Sequence, residues 1–310
     1  MADRTPNFEI ALTNVHLDLG AGRRGTDMGP SALHVAGLLP ALQRLGHRVV
    51  DIASLGTPSM EAVGQSADDA RFLDPIADVV RALADRVEAG VLRGHFPLVL
   101  GGDHSVAIGT VSGLARAMRT RGERLGVVWV DAHTDMNTPT TSPTGNIHGM
   151  PLACLLGEGP ASLTTALCGE SPALRPEDVA ILGVRDVDAT ESEIVRRLGV
   201  RVFTMSELDA RGTATCLEEA IARVTEHTSG VHLSFDLDGV DPQHAPGVGT
   251  PVPGGLSLRE SHLICEWVAQ RTRLCGMELV ELNPTRDIRN QTAELGRWLI
   301  ESALGRRILR

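Results

Sequence analysis

The stretch that most constrains the fold is the apolar run Val127–Val130, which ends abruptly in charged residues. Valine and tryptophan follow one another there without polar alternation, as in a strand that is buried on both faces of a parallel sheet. Asp131, His133 and Asp135 come next, at positions i, i+2 and i+4. In an extended segment this spacing points the three side chains to one side of the chain. The sequence therefore predicts two carboxylates and an imidazole clustered at the end of a buried strand.

Such a cluster is a candidate metal site. Two carboxylates and an imidazole in one place repel one another, or are costly to desolvate, unless a cation lies between them. An oxygen-rich set with some imidazole suits Mn²⁺ or a similar hard-to-borderline ion, and it offers no sulfur for a thiolate zinc site. The alternative for this motif alone is a solvated, Asp-rich turn.

Two other predicted strands end in the same way, which argues against the solvated turn. His104 follows the apolar strand 96–100, and Asp236 and Asp238 follow the strand 230–235. Ligands of open α/β sheets bind beyond the carboxyl ends of the strands, so the three groups are expected to share one site. Four carboxylates and two imidazoles exceed the needs of one ion. Two ions about 3.5–4 Å apart, sharing bridging carboxylates, can hold a hydroxide as nucleophile.

Apolar strands alternate with helical periodicity along the whole chain. Ile76, Val80, Leu83 and Val87, for example, fall at i, i+4, i+7 and i+11, and a first helix is predicted from Pro30 to Leu38. We count about eight strands, which predicts an α/β fold with helices on both faces of a parallel sheet. No linker, composition break or repeat divides the chain, so residues 1–310 are predicted to form a single domain.

Composition excludes several functions. The 310 residues have a net charge of −10, which argues against nucleic acid as the main partner. No apolar run is long enough to span a membrane, and no secretion signal is visible. The five scattered cysteines are typical of reduced packing residues in a cytoplasmic protein. The chain has no lysine, which excludes a Schiff-base lysine and a P-loop lysine.

Two further residues are candidates for chemistry. His148 would lie at the rim of the metal cluster, where it could shuttle protons, although a lone histidine is more often structural. Glu281 interrupts an apolar strand near its carboxyl end. It could grip a cationic head such as a guanidinium group, which offers paired donors to a carboxylate. The alternative is a buried glutamate paired with an arginine of the fold.

The chain resembles the ureohydrolases, and within them the arginases, in an ordered set of motifs: GGDHS, DAHTDMNTP, GNIHGMP, SFDLDGVDP, APGVGTPVPGG and VELNP. The resemblance implies a three-layer α/β/α fold with a central eight-stranded parallel sheet and two Mn²⁺ ions per subunit. It implies that one ion is held by His104, Asp131, Asp135 and Asp236. It implies that the other is held by Asp131, His133, Asp236 and Asp238.

The same resemblance implies hydrolysis of L-arginine to L-ornithine and urea, with a metal-bridging hydroxide attacking the guanidinium carbon. Asp135 would orient that nucleophile, His148 would exchange protons with solvent, and Glu281 would hold the guanidinium group. It also implies a cytoplasmic homotrimer or homohexamer whose partner is the small-molecule substrate. The substrate-binding residues that it implies are Asn137, Thr144, Asp188, Glu191, Thr250 and Glu281.

Alternatives remain within and outside this family. An agmatinase or a guanidino-acid ureohydrolase would share the metal chemistry, but the loop Asn137-Thr138-Pro139 follows the arginase pattern for binding an α-carboxylate. Thr144 departs from that pattern, which more usually has serine, and its extra methyl group could alter selectivity. A non-catalytic metal-binding relative is a third possibility. The carboxylate set is too large for the single zinc of related deacetylase-type amidohydrolases.

Overall fold

The computed structural model describes residues 7–64, 67–169 and 171–309. Its centre is a sheet of eight strands, all parallel, in the order β2-β1-β3-β8-β7-β4-β5-β6. The strands are β1 (Glu9–His16), β2 (Arg48–Gly56), β3 (Phe96–Leu100), β4 (Leu125–Val130), β5 (Val179–Val184), β6 (Arg201–Thr204), β7 (Gly230–Asp236) and β8 (Leu274–Val280). The predicted fold class is confirmed, including the number of strands.

Helices cover both faces of this sheet. In the described part of the chain they are α1 (Gly29–Val35), α2 (Leu38–Arg44), α3 (Leu73–Leu92), α4 (Val106–Arg119), α5 (Pro151–Leu155), α6 (Thr165–Cys168), α7 (Ala189–Leu198), α8 (Met205–Arg211), α9 (Thr213–Glu226), α10 (Leu258–Arg271) and α11 (Gln291–Ala303). The helix predicted from Pro30 to Leu38 is wrong at its end. It stops at Val35, because Gly37 adopts a left-handed conformation with φ of 85° and starts α2.

The two faces of each central strand belong to different hydrophobic cores. On β4, Val128 and Val130 pack into the core that α9, α10 and α11 cover. Val127 and Trp129 face the core that α3 and α4 cover. Successive side chains of a strand point to opposite faces, so a strand between two helical layers needs apolar residues at every position. The unbroken apolar runs of the sequence are explained in this way.

The strand order brings the polar strand ends together. Strands β3, β8, β7 and β4 are consecutive neighbours in the middle of the sheet. They lead respectively to His104, Glu281, Asp236 and Asp131. All eight strands run in the same direction, so these residues lie along one edge of the sheet.

In residues 7–64, 67–169 and 171–309, no helix combines the length and the hydropathy that crossing a bilayer requires.

Candidate functional site

One half of the site is centred on the imidazole of His104. Its Nδ1 atom lies 3.1 Å from Asp131 Oδ2, 3.0 Å from Asp135 Oδ2 and 3.1 Å from Asp236 Oδ2. All four side chains are buried. The His104 ring stacks on Trp129 at a centroid distance of 4.1 Å, and its Nε2 lies 2.9 Å from the Ser234 hydroxyl. The ring is therefore fixed with Nδ1 directed at three carboxylates.

The other half of the site is centred on His133. Its Nδ1 atom lies 3.3 Å from Asp131 Oδ1 and 3.2 Å from Asp238 Oδ2. The two oxygens of Asp131 thus face the two imidazoles, one each. Among the described residues, two groups could hold a metal ion, and they share Asp131: His104 with Asp131 and Asp135, and Asp131 with His133 and Asp238.

Backbone amides hold these carboxylates in place. The His133 amide donates to Asp131 Oδ1 at 2.8 Å, and the Asp238 amide donates to Asp236 Oδ1 at 2.7 Å. The Ala132 amide donates to Asp238 Oδ1 at 3.1 Å, which links the ends of β4 and β7. A carboxylate that accepts such bonds is already oriented before it meets a ligand, so less conformational entropy is lost on binding.

The electrostatics of the cluster favour a bound cation. Burial and the neighbouring Asp131 charge raise the pKa of Asp135 to about 7. Burial and the charges of Asp238 and Asp131 raise the pKa of Asp236 well above its usual range. His104 Nδ1 and Asp135 Oδ2 are buried, and although they lie 3.0 Å apart, neither makes a hydrogen bond. Carboxylate and imidazole atoms that are buried, repelling and unpaired fit a divalent metal.

His148 and Glu281 form a pair beside the cluster. His148 Nδ1 lies 2.9 Å from Glu281 Oε1, and the same oxygen accepts the His104 backbone amide at 2.9 Å. Burial lowers the pKa of His148, but the charge and hydrogen bond of Glu281, together with the charges of Asp103 and Asp135, raise it to about 9. Glu281 Oε2 is buried without a hydrogen-bond partner. The alternative of a glutamate paired with an arginine is therefore wrong, and one oxygen remains free to accept.

A cleft of about 200 Å³ leads outward from the cluster. Asn137, Thr144, Asp188, Glu191 and Thr250 all line it. Asn137 Nδ2 donates to Asp188 Oδ2 at 3.1 Å, while Thr144 is exposed at the rim. Thr250 donates its hydroxyl to Asp238 Oδ2 at 2.9 Å. The structure thus brings these five of the six predicted substrate residues beside the predicted metal ligands.

Glu191 differs from the others because its carboxylate is already engaged. Oε1 accepts the Thr134 hydroxyl at 2.6 Å and the Met136 amide at 2.9 Å. Oε2 accepts the Asp188 amide at 3.2 Å, within the capping box of α7. This side chain is buried and ties the loop after β4 to the start of α7.

Ser142 and Asp186 also line the cleft, and the sequence patterns did not single them out. Ser142 lies between Asn137 and Thr144 in the same hydroxyl-rich loop, and its hydroxyl is 3.5 Å from that of Thr144. Asp186 lies two residues before Asp188 in the segment after β5. The sequence signal that could have found both residues is their position near Thr144 and Asp188, which were predicted to bind substrate.

A parallel sheet that gathers carboxylates and imidazoles beyond its strand ends is an α/β fold with a candidate metal site. Comparison with known proteins gives the particular family. The model of the arginase family matches residues 8–305, and the chain belongs to that family.

Its relatives match over nearly their full length. The chain is 47% identical to the arginase of Bacillus caldovelox, over 97% of this chain and 99% of that protein. The native structure of that arginase superposes with a TM-score of 0.89, covering 97% of this chain and 100% of that one. The arginase of Brevibacillus brevis is 45% identical over 98% and 100% of the two chains. A structure of Entamoeba histolytica arginase in complex with L-ornithine is 32% identical with a TM-score of 0.86, covering 97% and 99%.

Proposed function

We propose that this chain hydrolyses L-arginine to L-ornithine and urea, with two Mn²⁺ ions bound at the edge of the sheet. The observation that carries the proposal is the position of Asp131 between two imidazole–carboxylate groups, with the His148–Glu281 pair beside them. The names of the relatives, and the L-ornithine in one of their structures, support this substrate class.

The residues present fit two divalent ions. His104, Asp131, Asp135 and Asp236 would hold one, and Asp131, His133, Asp236 and Asp238 the other, so that Asp131 and Asp236 are shared. When bound, such ions lower the pKa of water and stabilise the negative charge that develops during attack. The number and identity of the ions are part of the proposal.

Glu281 and His148 would handle the reacting end of the substrate. The free Oε2 of Glu281 can accept an N–H of the guanidinium group, and burial makes this charge-assisted bond stronger than it would be in water. Asp135 would orient the attacking water by accepting its proton in a hydrogen bond. The side chain of His148 is 17% exposed, so it can exchange protons with solvent while its Nδ1 stays on Glu281.

The outer part of the cleft would bind the α-amino and α-carboxylate groups of L-arginine. The Asn137 amide and the Thr144 hydroxyl can donate to a carboxylate, and Asp188 can accept from an ammonium group. Thr250 and Glu191 would act less directly, since their described bonds go to Asp238 and to Thr134, Met136 and Asp188. Agmatine lacks the carboxylate, so this end distinguishes an arginase from an agmatinase.

The first experiment measures urea release from arginine and from agmatine at equal concentrations, after Mn²⁺ loading and after chelation. We expect turnover of arginine alone, and only with metal. In Asn137→Ala, kcat/KM for arginine should fall about 10- to 100-fold, because one hydrogen bond to a charged group is lost. Thr140→Ala is the control, since Thr140 is exposed in the same loop and does not line the cleft.

The other outcomes are equally informative. Turnover of agmatine instead of arginine would keep the metal chemistry and favour the agmatinase alternative. An Asn137→Ala variant with unchanged arginine kinetics would contradict the proposed carboxylate recognition. Absence of urea from both substrates in the metal-loaded protein would favour a non-catalytic metal-binding relative.

A further inference from the structure

Arg185, the first residue after β5, makes an unusual set of hydrogen bonds. All of its side-chain donors bind main-chain carbonyls, and none of its described bonds goes to a carboxylate. Nη2 donates to Asp238 O at 2.7 Å and to Val252 O at 2.7 Å, and Nε donates to Val252 O at 3.0 Å. Nη1 donates to Gly239 O at 3.1 Å. The guanidinium group therefore joins the segment after β7 to the loop that contains Val252.

These contacts hold one predicted metal ligand, Asp238, by both its main chain and its side chain. Arg185 binds the backbone of Asp238 and the backbone of Val252. Two residues before Val252, the Thr250 hydroxyl donates to Asp238 Oδ2 at 2.9 Å. The Arg185 amide donates to Ala132 O at 2.8 Å, and the Ala132 amide donates to Asp238 Oδ1 at 3.1 Å. Both the main chain and the carboxylate of Asp238 are thus held through residues that Arg185 contacts.

The position of the guanidinium group also suits the charge of the cluster. Burial lowers the pKa of Arg185, and the charges of Asp238 and Asp131 oppose that shift. A fork of five donors on one planar cation can serve several carbonyls at once, which a lysine ammonium cannot match in geometry. Gly255 leaves room for this fork, because a Cβ there would lie 2.5 Å from Arg185 Nη2.

The His104 half of the site is supported by different residues. His104 Nε2 lies 2.9 Å from Ser234 Oγ, and Ser234 donates its hydroxyl to Glu278 Oε1 at 2.8 Å. None of the Arg185 side-chain bonds reaches His104, Asp135 or Asp236. The two halves share Asp131 and, in the proposed two-ion site, Asp236, but Arg185 and Ser234 support different halves.

We infer that Arg185 is a positioning residue for the metal ion held by His133 and Asp238, and that the ion beside His104 does not depend on it. This inference rests on the proposed two-ion site. Residues that orient metal ligands through hydrogen bonds typically change metal affinity about 10- to 100-fold when they are replaced. A residue that only stabilised the loops would not discriminate between the two ions.

The test is a titration of the chelated, full-length protein with Mn²⁺, in which free Mn²⁺ is followed by its electron paramagnetic resonance signal. Wild type should bind two ions. In Arg185→Lys, which keeps the charge and loses the fork, one affinity should fall about 10- to 100-fold and the other should not change. Ser234→Ala is the matched variant, and it should weaken the other ion. Anomalous diffraction at limiting Mn²⁺ should locate the remaining ion beside His104 in Arg185→Lys and beside His133 in Ser234→Ala.

Two results would overturn the inference: equal weakening of both ions in Arg185→Lys, or loss of the ion beside His104. Wild type that binds no Mn²⁺ would overturn the proposed site itself, which is a different failure. If Arg185→Lys does not fold, Arg185→Gln is the second variant, because its planar amide keeps one donor group for these carbonyls and loses the rest of the fork. It should weaken the same ion, and two unchanged affinities in that variant would count against Arg185.

Discussion

Two residues of the site have an unusual backbone conformation. Asp135 and Glu281 have φ values of 53° and 63°, a region that residues other than glycine rarely adopt. Strain of this kind persists only where the surrounding structure holds it, and it concentrates at functional positions. Here it turns two carboxylates back toward the imidazoles just after their strands end. The residue types were readable from the sequence, whereas these angles were not.

The His148–Glu281 pair leads to a prediction about how the stability of the protein depends on pH. The raised pKa of His148, about 9, means that its charged form is stabilised in the folded protein relative to an ordinary imidazole near 6.5. The stabilisation that the charged His148 contributes to the free energy of unfolding is fully present below pH ~6.5. It is lost as the pH rises through about 9. In the metal-free Glu281→Gln variant, burial of His148 remains and its attraction to Glu281 is lost, so its pKa should fall.

The measurement compares thermal unfolding of chelated wild type and Glu281→Gln across this pH range, with the imidazole titration followed by NMR. The stability difference between the two proteins should shrink as pH rises through about 9. Asp103 and Asp135 also face His148 and remain in both proteins, so their effect on its pKa is common to both. A stability difference that stays constant through that range would contradict the prediction.

At the scale of elements, helix α7 positions the loop that follows β4. Its capping box consists of Asp188 and Glu191, and Glu191 also reaches the Thr134 hydroxyl and the Met136 amide. The cap of this helix and the substrate side of the cleft therefore share one buried carboxylate. The resemblance named Asp188 and Glu191, but not the bonds of Glu191 to a loop more than fifty residues earlier.

In Glu191→Ala, the loop after β4 should no longer be tied to the start of α7. Thr134, Met136 and Asp188 would lose their acceptor, so we expect the free energy of unfolding to fall by about 1–3 kcal/mol. The kcat/KM for arginine should fall as well, because Asn137 follows the released segment directly. Chemical denaturation and urea-release kinetics measure the two effects. Glu193→Ala is the control on the exposed side of the same helix, and an equal loss in both variants would argue against the tie.

At the scale of the whole molecule, the predicted metal ligands are spread over three segments, each at the end of a different strand. The cluster draws together His104 after β3, Asp131 after β4 and Asp238 after β7. A ligand that binds only the folded chain stabilises the fold by mass action. Metal binding here should therefore act on global stability and not only on one loop.

Addition of Mn²⁺ to the chelated protein should raise Tm in a concentration-dependent way. One ion at about 100 times its Kd adds roughly 2.7 kcal/mol to the free energy of unfolding. Scanning calorimetry over a series of Mn²⁺ concentrations measures this effect. Asp131→Asn removes the shared carboxylate charge and should abolish most of the shift, whereas Asp209→Asn, exposed on α8, should leave it unchanged. A metal-independent Tm in wild type would contradict the two-ion site.

Much of the fold was predictable because its signals are local. The apolar runs 96–100 and 127–130 predicted buried parallel strands, and β3 and β4 lie there. Short elements were less visible: α2 and α8 were not predicted, since seven-residue helices leave little room for a periodic pattern. The nominated metal ligands lie in one cluster, but Ser142 and Asp186 were missed because nothing in their own spacing singles them out.

The sequence by itself determined which residues follow the buried strands, and hence the chemical types available at one edge of the sheet. It did so because strand and helix periodicities are local properties of the chain. Only the tertiary structure decided that β8 and β7 lie between β3 and β4, and that His104, Asp131 and Asp238 nevertheless form one cluster. The same is true of Arg185, whose carbonyl partners Asp238 and Val252 lie 53 and 67 residues further along the chain. Backbone hydrogen bonds between parallel strands do not depend on side-chain identity, so strand order is set by the packing of the helical layers.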